Sequence, residues 1–76
     1  MPGSTIREYV VAFERAGSNY SAYVPDLPGC ISTGKTLDEA EANIKEAISL
    51  YIDTLREDGQ PIPEPVTKAK PVAVAA

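Results

Sequence analysis

The chain has 76 residues, a hydrophobic fraction of 43% and a formal charge of −4 from seven Lys and Arg against eleven Asp and Glu. That is one domain near the size where a lone apolar core becomes marginal, too apolar to be wholly disordered and too acidic to favour direct nucleic-acid binding, which needs cations to displace phosphate counterions. With no histidine and a single cysteine, Cys30, the chain lacks Ser-His-Asp and Cys-His nucleophile pairs, an intramolecular disulfide and a Cys/His zinc site.

Ile6 to Arg15 reads as a strand, with Tyr9, Val11 and Phe13 on one face and Glu8, Val10, Ala12 and Glu14 on the other. Ala16-Gly17-Ser18-Asn19 is a hairpin turn, and Tyr20 to Val24 resumes β-type residues as an antiparallel neighbour. Pro25-Asp26-Leu27-Pro28-Gly29 cannot continue a ladder, because proline lacks the amide donor, so the chain bends there. Cys30 to Thr33 is a short third strand ended by Gly34-Lys35.

Thr36-Leu37-Asp38-Glu39 has capping-box spacing, with the Thr36 hydroxyl expected to accept from the Glu39 amide and the Glu39 carboxylate to return to the Thr36 amide. A helix then runs from Leu37 to about Asp58. At 100° per residue, Leu37, Ala40, Ile44, Ala47, Ile48, Tyr51, Ile52 and Leu55 fall within roughly 140°, a stripe expected to pack on the sheet. Seven acidic residues lie in this helix against Lys45 and Arg56, so its outer face carries the acidity of the chain. Gly59 stands where a left-handed C-cap is expected.

Gln60 to Val66, with three alternating prolines, is an extended connector returning across the fold, and Pro71 to Ala75 is either a fourth edge strand or a frayed tail. The fold class is α+β: a three-stranded antiparallel meander, one long helix and a short last strand. Residues 1–5 are expected to be disordered, 6–60 to form the core, and 61–76 to form the connector and edge strand or tail. The opening residues have neither the basic region nor the apolar run of a signal peptide, and a reducing, cytoplasmic setting fits the lone cysteine.

The run YSAYVPDLPGCISTGKTLDEAEANIKEAISLYIDTLREDGQPIPEP resembles the N-terminal domain of the HicB antitoxin family. The resemblance rests on a Y-x-A-Y-V-P-D-L-P-G-C hairpin and bend, a G-x-T-x-x-E-A helix start, an N-x-x-E-A-I-x-L-Y helix body and a closing E-D-G-x-P-I-P-x-P, over about Tyr9 to Pro65. It implies a β-β-β-α-β domain similar to a truncated RNase H core without catalytic carboxylates. It also implies a non-catalytic antitoxin of a bacterial toxin–antitoxin system, homo-oligomeric as a dimer or tetramer, that covers the active site of HicA, a small basic mRNA-cleaving toxin. Many members carry a C-terminal DNA-binding domain, and Val66 to Ala76 are too few for one, so a short, solitary form is expected. The alternative is a solitary oligomeric member with an RNA-binding or scaffold role and no toxin.

The residues offered for toxin binding are Tyr9, Tyr20, Tyr23, Asp26, Pro28, Cys30, Glu39, Glu46 and Asp53, and those offered for oligomer contact are Leu50, Val72 and Val74. Each has a plainer role beside it: Asp26 as a turn residue satisfying nearby amides, Cys30 as a buried small side chain, the tyrosines as core or interface packing, and the helix acids as solvated charge. Glu8, Glu14 and Asp26 do not read as a metal site, since Glu8 and Glu14 stand about 20 Å apart along a strand. No cofactor and no metal are expected.

Overall fold

The computed structural model describes residues 6–76, so the expected disorder at residues 1–5 lies outside the described residues. Three strands, β1 (Ala12–Ala16), β2 (Asn19–Tyr23) and β3 (Ile31–Gly34), are followed by one helix, α1 (Leu37–Glu57). They form an antiparallel sheet in the order β1-β2-β3. Gly17 and Ser18 close the first hairpin between the paired Ala16 and Asn19, and Gly17 at φ 62° takes the left-handed first position of a type II′ turn.

β1 is shorter than the alternation from Ile6 predicts, because a ladder needs a partner. β2 ends at Tyr23, opposite Ala12, before Pro25 interrupts it, and no other strand reaches residues 6–11. Of the two alternatives for the last segment, the fourth edge strand is not formed: residues 71–75 are in no strand.

The segment between β2 and β3 is two consecutive tight turns. Leu27 N donates to Val24 O at 3.1 Å, Cys30 N to Leu27 O at 3.0 Å, and Val24 N to Cys30 O closes the loop at 3.2 Å. Pro28 and Gly29 occupy the two central positions of the second turn, and Gly29 at φ 82° supplies the conformation that a type II turn requires. Between the turns Leu27 drops into the core, fully buried beside Val24, Cys30, Ala22 and Ile44.

α1 covers the face that carries Phe13, Ala22 and Ser32, which are opposite one another across the sheet. Gly34 sets how closely the helix approaches: a methyl there would meet the Ala40 backbone, with its Cα only 2.8 Å away. The helix therefore seats at Ala40, and Leu37, expected in the core, overhangs the end of the sheet at 47% exposure. Thr36 accepts from Glu39 N at 3.0 Å as expected, but the Glu39 carboxylate returns to Lys35 N at 3.0 Å, one residue before the expected Thr36 amide. At the far end Gly59 (φ 66°), with Gly59 N donating to Arg56 O and Gln60 N to Leu55 O, completes a Schellman cap.

Candidate protein-binding site

The helix and the turns that follow β2 divide the predicted site residues into three groups. The first is buried or committed to structure. Cys30 lies in the core, and burial pushes its thiol above the ordinary range, so at neutral pH it is protonated and inert. Tyr20 is half-buried on the helix-facing side, at the same sheet end as Gly34. Tyr9 packs on the core and donates its phenol to Pro63 O at 2.6 Å, and burial raises its pKa, keeping the donor neutral.

Asp26 belongs to the same group for a reason local sequence does not contain. Its carboxylate accepts from Val66 N at 3.0 Å, Thr67 N at 2.9 Å and the Thr67 hydroxyl at 2.8 Å. The amides it satisfies are thus remote ones, where the sequence suggests nearby ones. These bonds, led by the Thr67 amide, hold its pKa below the usual value. Tyr9 and Asp26 together pin the connector to the end of the sheet.

The second group is an outward acidic ridge. Glu39, Glu46 and Asp53 recur every seven residues and fall, with Glu57, within an arc of about 40° opposite the buried stripe. All four are exposed. Glu39 is also bonded at the helix start, so Glu46, Asp53 and Glu57 are the ridge acids without a side-chain hydrogen bond among the described residues.

The third group is apolar and faces outward from the uncovered side of the sheet. Ala12, Tyr23 and Ile31 are directly opposite one another across the three strands, with Tyr23 41% and Ile31 70% exposed. Ile31 and Leu50 line a cleft of about 350 Å³ between β3 and the helix. Tyr51 closes one wall, donating its phenol to Pro28 O at 3.0 Å, while Pro28 itself is exposed. Sequence reading missed Ile31, which its pairing with Tyr23 places on the outward side of the sheet. Val72 and Val74 are exposed on the C-terminal segment.

Among the described residues no group of three His, Cys, Asp or Glu side chains stands close enough to share a metal ion, and Glu8, Glu14 and Asp26 are not brought together. No helix of the described residues is long and apolar enough to cross a membrane. What the arrangement offers is contact chemistry: a charged ridge and apolar side chains on a small sheet.

Comparison with known proteins bears on the family and the fold. The family model described as HicB_like antitoxin of bacterial toxin-antitoxin system matches residues 9–74. A UPF0150 protein of Synechocystis is 41% identical over 70 residues, covering 91% of this chain and 89% of that one. An uncharacterized 14.9 kDa protein of Haemophilus phage HP1 is 45% identical over 56 residues, and antitoxin HicB 2 of Photorhabdus laumondii is 33% identical over 73. The match spans 74% of this chain and 42% of the phage protein, and 90% of this chain and 52% of the Photorhabdus antitoxin. The crystal structure of the N-terminal domain of Burkholderia pseudomallei antitoxin HicB superposes with a TM-score of 0.63 at 42% identity, covering 68% of this chain and 62% of that one. A three-stranded meander capped by one helix, matched along nearly its whole described length, makes this chain a member of the HicB-like antitoxin family of bacterial toxin–antitoxin systems.

Proposed function

We propose that the protein is the antitoxin component of a toxin–antitoxin pair, and that it neutralises a small basic RNA-cleaving toxin of the HicA kind by covering its active site. The observation that carries this reading is the exposed acidic ridge of α1, free of basic side chains along its length, on a chain of an antitoxin family. A toxin that grips RNA must present cations, and a row of carboxylates on a rigid helix competes for them at the spacing of two helical turns. The contact face extends from Glu46 through Leu50 to Ile31 and the exposed Pro28 turn at the β3 edge, which supplies the apolar centre a charged rim alone lacks. The mechanism is occlusion, and no residue of this chain performs chemistry.

The test is co-expression with the adjacent or cognate basic toxin, followed by co-purification and an RNA-cleavage assay with increasing antitoxin. Stoichiometric loss of cleavage supports the reading. Cleavage that persists with antitoxin in excess, or a protein that instead binds RNA itself in a filter assay with a steep salt slope, overturns it.

A further inference from the structure

The two edges of the sheet differ in how they are protected. β1 carries Glu14 and Arg15, both exposed, whereas β3 is Ile31-Ser32-Thr33-Gly34, with no charge and no proline. Charged side chains and proline are what keep an edge from pairing with another chain. β3 lacks both, and three of its main-chain groups are open. Val24 N donates to Cys30 O at 3.2 Å, so these two are a bonded pair, and bonded pairs alternate along an antiparallel ladder. In the register Tyr23↔Ile31, Ala22↔Ser32 and Ser21↔Thr33, it is therefore Ser32 that bonds to β2, while Ile31 and Thr33 turn their amides and carbonyls away from it. The Asn43 side-chain amide donates to Thr33 O at 2.8 Å. Ile31 N, Ile31 O and Thr33 N are left without a bond among the described residues.

Beside that edge lies the cleft of about 350 Å³ between β3 and α1, walled by Cys30, Ile31, Ala47, Leu50, Tyr51 and Leu55. Leu50 lines it and is still 62% exposed. The helix gives this side a single sign of charge. At 100° per residue, Glu39, Glu46 and Glu57 fall within about 40° of Leu50. Lys45 and Arg56, more than about 100° away from it, line the concavity between residues 6–13 and α1 on the opposite side.

Resting on the reading of the protein as an antitoxin, we propose that a basic, extended segment of the toxin adds to β3 as a fourth strand and seats one apolar side chain in the cleft. Its main chain meets Ile31 N, Ile31 O and Thr33 N, which fixes a register that charge alone cannot. Side chains of an added strand alternate, so the residue beside Cys30 enters the cleft against Leu50 and Tyr51. The next residue on the helix side, beside Ser32, lies toward Asn43 and Glu46, where a lysine or arginine finds its counter-charge. A second copy is the poorer occupant, because pairing β3 with β3 brings two such acidic helix flanks together.

Amide hydrogen exchange of the intact chain, alone and with the co-expressed basic toxin, reads these bonds without a mutation. Ile31 and Thr33 should exchange rapidly in the free protein beside a slow Ser32, and should slow by about tenfold or more in the complex. Ile31→Pro and Thr33→Pro each remove an outward donor that β2 does not use, and an edge strand accepts proline there. Each should weaken toxin binding about tenfold more than Ile31→Ala or Thr33→Ala, which keep the donor, with the far-UV circular dichroism of the wild type. Leu50→Asp adds a charge of the attractive sign, yet should weaken binding because the cleft loses an apolar wall. A toxin that is bound and neutralised while both amides exchange as in the free chain overturns the strand addition and leaves the antitoxin reading in place. So does an affinity that folded proline variants share with the alanine ones, or one unchanged by Leu50→Asp. A toxin that is not bound at all overturns both. Protection of the two amides that rises with the concentration of the chain alone assigns the edge to a second copy and overturns the toxin as its occupant.

Discussion

Asp26 is bonded to amides 40 and 41 residues further along the chain, which makes a residue of turn-forming type into a long-range clasp. Asp26→Ala should free the connector without unfolding the helix, so hydrogen exchange at Val66 and Thr67 should quicken while the helical circular dichroism signal persists. Because the folded pKa of Asp26 is depressed, the clasp is fully present above the ordinary aspartate value. It weakens as pH falls below that value and is lost once pH passes the lower folded value; exchange or proteolysis of the connector followed down the acid range measures this. Gly34 is the opposite kind of residue, needed for having nothing. Gly34→Ala forces a methyl into the Ala40 backbone and should cost about 1–3 kcal/mol, read as a lower urea midpoint. Neither role is visible in the residue itself: one depends on what the tail brings back, the other on how closely a helix lands.

At the scale of elements, the helix was legible because its determinants are local. Thr36, Glu39 and Gly59 bond within one turn of the ends they cap, and their spacing in sequence is their spacing in space. Thr36→Ala should therefore lower stability by about 1 kcal/mol, with an unchanged dependence on urea, since one end donor loses its acceptor and little new surface is exposed. The buried stripe was also legible from Ala40 to Tyr51, where the sheet lies beneath it, but Leu37 was not, because the sheet's end and not the helical period decides where burial stops. The strands show the same limit. Alternation identifies Tyr9, Val11 and Phe13 as one packed face, while the start of β1 at Ala12 is set by the length of β2.

For the whole molecule, charge and shape decide what the surface offers. Reversing Glu46 and Asp53 to lysine spares the cap made by Glu39 and leaves the fold intact, so it isolates the ridge. If the ridge meets a basic toxin, the variant should bind at least about tenfold more weakly at low salt, mostly through slower association, with the difference shrinking as salt rises. Titration calorimetry at two ionic strengths reads this, and an unchanged affinity would remove the ridge from the interface. Of the predicted site residues, the exposure of those on the helix face was legible, because the helical period alone turns Glu39, Glu46 and Asp53 away from the buried stripe. Cys30 was legible as a buried small side chain, whereas Asp26 was not legible as a clasp, since the amides it holds lie 40 and 41 residues further along the chain.

The sequence by itself determined the α+β order, the hairpin and bend, the capped helix, the acidity of its outer face and the family, because each rests on neighbours a few residues apart or on composition. The tertiary structure decided how far β1 extends, that Asp26 and Tyr9 hold the connector, that Ile31 faces outward, and that an apolar cleft stands open beside an unpaired strand edge. Those depend on pairings between residues tens of positions apart, where the free energy comes from surfaces meeting in space and no local pattern records which surfaces meet.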